Sequence, residues 1–152
     1  MRQIKRIPVT KEGFEKLNKD LEELKAQRPD AVRTLADARS MGDLSENGLY
    51  TAAKARLRSI DNEMFRLEIQ IKLADIKETN KDKADIGSSV KVSNGSFETT
   101  FHIVGDYEAN PMEKKISQHS PLGRALVGKK VGETAQFQAP SGIVSYKIIS
   151  IS

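Results

Sequence analysis

The chain predicts an α+β protein: an antiparallel α-helical coiled-coil hairpin followed by a small β-rich domain with one helix. Three observations carry this. Apolar residues recur at spacings of three and four from Phe14 to Ala38 and again from Leu49 to Ala74, the seam of a coiled coil. Seven of the ten glycines lie at or beyond Gly87, where the apolar pattern breaks into short strand-like runs. The composition, 38% hydrophobic and 30% charged with 5% aromatic, is lean for a purely globular core and suits a long exposed helical element.

The first helix has Thr10 as its N-cap and Gly13 as a weak spot just inside. Its seam runs Phe14, Leu17, Leu21, Leu24, Ala31, Leu35 and Ala38, with Arg28 in the one slot that is not apolar. Pro29 in a helix interior costs about 3 kcal/mol. The three-four phase passes through it unbroken, so a kink is expected rather than a loop. The second helix places Leu49, Ala53, Leu57, Ile60, Met64, Leu67, Ile71 and Ala74 on its seam. At ~1.5 Å per residue, arms of about thirty residues make a rod of about 45 Å.

Residues 79–88, TNKDKADIGS, lack apolar periodicity and read as a linker, which divides the chain into 1–79 and 80–152. Strands are expected at 89–92, 97–104, 133–138 and 143–151. In SYKIISIS the alternation slips by one between Ile148 and Ile149, as a bulge or a strand buried on both faces would make it. In SPLGRALVGKK, Ser120 can cap, Pro121 suits the first helical position and Gly128 can end a short helix. Phe97, Phe101, Phe137 and Tyr146 read as core of this half.

No cysteine is present, which excludes disulfides and thiolate metal sites and suits a reducing compartment. The start, MRQIKRIPVT, lacks the apolar run of ~7 residues of a secretory signal, and no window reaches the ~18 apolar residues of a membrane span. A soluble cytoplasmic protein is expected. The net charge of +4 is compatible with nucleic acid or an acidic protein surface but too small for a nucleoid protein. A prolyl isomerase or chaperone would want an aromatic-lined pocket, and there is no Trp.

The stretch ARSMGDLSENGLYTAAK, residues 38–54, joins the two helices, and Asp43 and Glu46 are the only charges between Gly42 and Gly48. One reading makes Asp43 an N-cap and Glu46 the partner of a capping box. The other makes them two hard oxygen ligands at the end of a long lever, able to share a divalent cation such as Mg²⁺ whose remaining positions go to water, phosphate and another protein's acids. Behind them Lys54, Arg56 and Arg58 are either a solvated helix flank or a patch for the phosphates of RNA, with Lys54 and Arg58 on one face. Tyr50 reads as a packing anchor for the turn, and His102 and His119 as ordinary strand or loop residues. Ser45 has no neighbouring base and is no nucleophile.

The same stretch resembles the tip motif of the bacterial Gre transcript-cleavage factors. The resemblance extends through RPDAVRTLADAR (28–39), HIVGDYEA (102–109), SPLGRALVGKKVGE (120–133) and APSG (139–142), in order over essentially the whole chain. It implies an FKBP-like C-terminal domain that binds bacterial RNA polymerase and a coiled coil passed down the polymerase's secondary channel. Asp43 and Glu46 would help hold a Mg²⁺ ion shared with the polymerase, which then cuts the 3′ end of its own backtracked RNA. By this resemblance the chain would be a transcription elongation factor and not itself an enzyme, and a monomer is expected. The alternative is a Gre-like channel-binding inhibitor without cleavage activity. KARLR (54–58) is similar to the more basic GreB type, whereas the rest of the tip is closer to GreA. The sequence departs from the family pattern at Gly48 and Leu49, where Ala followed by an acid is common, so its tip is less negative.

Overall fold

The computed structural model describes residues 3–43 and 46–152. Met1, Arg2, Leu44 and Ser45 lie outside the described residues, so the reading of Ser45 is not addressed by it. Two compact units emerge: Glu15–Leu73, and Met1–Phe14 together with Ala74–Ser152.

The first unit is the helical hairpin, formed by α1 (Lys11–Arg39) and α2 (Gly48–Leu73). Arg28 pairs with Asp61 and Asp30 with Arg56, so the partner's number falls as the residue number rises and the helices run antiparallel. Leu21, Ala31 and Ala38 of α1 and Ala53, Ile60 and Leu67 of α2 are buried on the seam. Burying a Leu or Ile side chain stabilises by roughly 1.5–3 kcal/mol, so this narrow stripe carries most of the hairpin. Leu49 departs from the expected seam: it is 65% exposed in the first turn of α2. Gln70, not on the expected seam, is buried.

Pro29 lies inside a single helix and does not divide it. The apparent flaw at Arg28 is explained by what it meets. Its Nε lies 2.6 Å from Asp61 Oδ1 and its Nη2 3.2 Å from Oδ2. With Asp30 holding Arg56 Nη1 at 3.1 Å, the proline is flanked on both sides by cross-hairpin ion pairs.

The second unit begins with β1 (Ile7–Val9), which pairs in parallel with β2 (Ala74–Ile76). This differs from the boundary expected at residue 79: α2 ends at Leu73, Ala74 is a strand residue rather than a seam residue, and the first fourteen residues cluster with the C-terminal half. Thr10 caps α1 as expected, its Oγ1 accepting from Gly13 N at 3.0 Å. The same hydroxyl donates to Glu108 Oε1, and Thr10 N donates to Glu108 Oε2 at 3.0 Å. A methyl group on Gly13 would sit 2.0 Å from Glu108 Oε1, so the glycine read as a weak spot is the room this carboxylate occupies.

The main sheet orders its strands β5-β4-β3-β7-β6: β3 (Ser89–Ser93), β4 (Glu98–Val104), β5 (Lys115–Ser117), β6 (Thr134–Ala139) and β7 (Gly142–Ile151). All neighbours are antiparallel except β4 and β5. The slip anticipated near Ile149 is a bulge: Lys91 pairs with Ser150 but Val92 with Ile148. Helix α3 (Pro121–Leu126) starts at Ser120, whose Oγ accepts from Gly123 N at 3.0 Å. Its Leu126 joins Val90, Val92, Ile103, Ala135 and Ile148 in the core. A sheet with one short helix is the FKBP-like half that the resemblance implied. Residues 79–88 are more than a linker, because Ala84, Ile86 and Ser88 are buried in alternation and run directly into the buried Val90 and Val92. Phe101 and Phe137 pack against the Tyr146 ring, 5.9 and 6.1 Å between centroids. Phe97, in contrast, is 56% exposed, one residue before β4 begins.

Candidate functional site at the hairpin turn

Helix α1 ends through its own last carbonyls. Ser40 N donates to both Ala36 O and Asp37 O at 3.2 Å, Met41 N donates to Ala38 O at 3.3 Å, and Gly42 takes φ +115°, which favours glycine. Helix α2 begins at Gly48, and its N-cap is Asn47: Oδ1 accepts from Tyr50 N at 3.1 Å. The capping reading of Asp43 is thereby corrected, since the first helical residue lies five positions beyond it. Asp43 and Glu46 are both exposed on the turn. Sequence reasoning missed Asn47, although the signal was there: an Asn immediately before an apolar-periodic run is a preferred cap.

Tyr50 is half-buried in the first turn of α2. The Arg39 guanidinium carbon lies 5.8 Å and Lys54 Nζ 6.0 Å from its ring centroid, within cation–π range. The basic patch divides in the structure. Lys54 leans on Tyr50, Arg56 is taken up by Asp30, and Arg58 is exposed on the face that also carries Ala55, Ser59 and Asn62. Lys54 and Arg58 share a face, whereas Arg56 turns toward α1, as a step of two residues on a helix requires.

Two carboxylates bind a divalent cation only as part of a larger shell, and among the described residues no group of three or more His, Cys, Asp or Glu is placed to hold a metal. The histidines lie elsewhere. His102 Nδ1 sits 2.7 Å from Ser89 Oγ on adjacent strands, and His119 Nδ1 sits 2.8 Å from Asp106 Oδ1. The Ser117 hydroxyl and then His119 hold the Asp106 carboxyl below its ordinary range. Among the described residues no helix is long and apolar enough to cross a membrane.

Residues 7–76 match the family described as transcription elongation factor, N-terminal, and residues 78–152 match transcription elongation factor, GreA/GreB, C-term. The transcription elongation factor GreA of Thermodesulfovibrio yellowstonii is 43% identical, over 97% of this chain and 97% of its own. That of Macrococcus caseolyticus is 42% identical over 97% of this chain and 98% of its own. That of Caldanaerobacter subterraneus subsp. tengcongensis is 40% identical with the same coverage, 97% and 98%. Among solved structures, the GreA factor homolog 1 of Thermus thermophilus is 26% identical over 97% of this chain and 99% of that one, with a TM-score of 0.45, too loose a superposition to add to the assignment. Matched along both halves and over nearly its full length, the chain belongs to the GreA/GreB family of transcription elongation factors.

Proposed function

We propose that the chain is a GreA-type transcript-cleavage factor, which enters the secondary channel of bacterial RNA polymerase with its hairpin turn foremost and stimulates the polymerase to cut backtracked RNA in the cytoplasm. The observation that carries this reading is the pair of exposed acids, Asp43 and Glu46, on a turn whose helix cap is supplied by a different residue. Helices of 29 and 26 residues give arms of about 40 Å, long enough to reach a buried active centre.

In this reading Asp43 would help hold a Mg²⁺ ion bound mainly by the polymerase, and Glu46 would orient a water. When bound there, Mg²⁺ would lower the pKa of that water and stabilise charge on the phosphate. Lys54 and Arg58, on one face of α2, contact phosphates of the RNA 3′ segment. Arg56 contributes less while Asp30 holds it. The chain lends carboxylates and the polymerase performs the hydrolysis, so the factor is not an enzyme by itself. Asp43→Asn should abolish stimulated cleavage in arrested elongation complexes while competing for polymerase as well as the unaltered chain does. Undiminished cleavage by that variant would refute the role given to the acid.

A further inference from the structure

Asp43 and Glu46 can act together only if the turn that carries them holds them at a reproducible separation, and one side chain ties its two ends to each other. Asn47 Nδ2 donates to the Ala38 carbonyl at 2.8 Å, while its Oδ1 accepts from Tyr50 N at 3.1 Å. Ala38 is in the last turn of α1 and Tyr50 in the first turn of α2, so a single carboxamide joins the end of one helix to the start of the other. The direction of the amide is determined by its neighbours. Turned end for end, it would set its NH₂ against the Tyr50 N–H and its oxygen against the Ala38 carbonyl, two repulsive contacts. The backbone at Asn47 belongs to α2, because its carbonyl accepts the helix's opening bond from Thr51 N at 3.1 Å.

We propose that Asn47 is a positioning residue for the tip acids, fixing the span of the turn so that Asp43 and Glu46 present their carboxylates to one shared cation. The proposal rests on the functional reading above and deepens it. The chemistry demands Asn in particular. A cap needs only an acceptor, which Asp or Ser would supply equally well, but the bond to Ala38 needs a donor on the same short side chain. Asp at this position would keep the cap and set an anionic oxygen against a carbonyl. The cap and the brace can therefore be separated by one substitution.

The test compares Asn47→Asp and Asn47→Ala with Asp43→Asn in the full-length chain. In the isolated protein, NMR should show one Asn47 side-chain amide proton exchanging about tenfold more slowly than those of exposed asparagines, as a hydrogen bond to a helix carbonyl requires. Solvent-like exchange would overturn the brace without reference to activity. With arrested elongation complexes, Asn47→Asp should keep its helical circular dichroism and compete for polymerase within about twofold. Its Mg²⁺ midpoint for stimulated cleavage should rise by about five- to tenfold, the factor carried by one hydrogen bond. Asn47→Ala should show at least the same rise. A loss of helix or of binding would lower amplitude without moving that midpoint. An unmoved midpoint in Asn47→Asp beside an inactive Asp43→Asn would overturn the positioning role alone, whereas an active Asp43→Asn would overturn the functional reading and this inference with it.

Discussion

Gly13 shows how one residue's environment can reverse a local rule. Alanine inside a helix is favoured over glycine by about 1 kcal/mol. Here the added methyl would stand 2.0 Å from Glu108 Oε1, and Glu108 would have to leave Thr10 N, the Thr10 hydroxyl and Gly105 N. Hydrogen bonds to a charged group contribute roughly 1.5–3 kcal/mol each, so the loss outweighs the gain in helix propensity. Gly13→Ala should destabilise the protein by about 1–3 kcal/mol, read by thermal melting. In a Glu108→Ala background the same substitution should instead stabilise by up to about 1 kcal/mol. Absence of that change of sign would disprove the account. Thr10 as a cap is written in the local sequence, but the reason for Gly13 is not, because its partner lies in the other half of the chain.

At the scale of elements, the hairpin was legible because both helices obey one period, and that period also allowed Pro29 to be read as tolerated. What crosses between the helices at Arg28 was not legible, since an isolated Arg on an apolar seam carries no record of its partner. The hydrogen bond from Arg28, more than their mutual charge, holds the Asp61 carboxyl below its ordinary value. A carboxyl with a depressed folded pKa stabilises the fold above its ordinary pKa of ~3.9, and that contribution is lost as pH falls through the folded value. The pair is exposed and so is also sensitive to salt. Chemical denaturation of the unaltered chain and of Asp61→Asn should therefore differ slightly at neutral pH and low salt. The difference should shrink as pH falls through the folded value of Asp61, and in about 1 M salt, where the Debye length is ~3 Å. A gap that persisted under both conditions would assign the effect to packing rather than to the ion pair.

For the whole molecule, the strand pair β1–β2 makes the C-terminal unit depend on the first residues of the chain. A fragment of residues 78–152 should melt about 5–15 °C below the corresponding transition of the full chain, since it loses buried Val9 and the Thr10 bonds to Glu108. Calorimetry of the two would check this, and coincident transitions would show that β1 contributes nothing. By itself the sequence determined both helices, the Thr10 and Ser120 caps, four strands of the main sheet, the slip in alternation near Ile149 and the two acids of the turn. Each follows from a period, a cap or a motif within a few residues. Only the tertiary structure decided the β1–β2 and β4–β5 pairings, the burial of Ala84 and Ile86, the place made for Glu108 at Gly13, and the brace from Asn47 to Ala38. Those features are meetings between residues that the chain keeps apart, and local propensity holds no information about which distant partner will arrive.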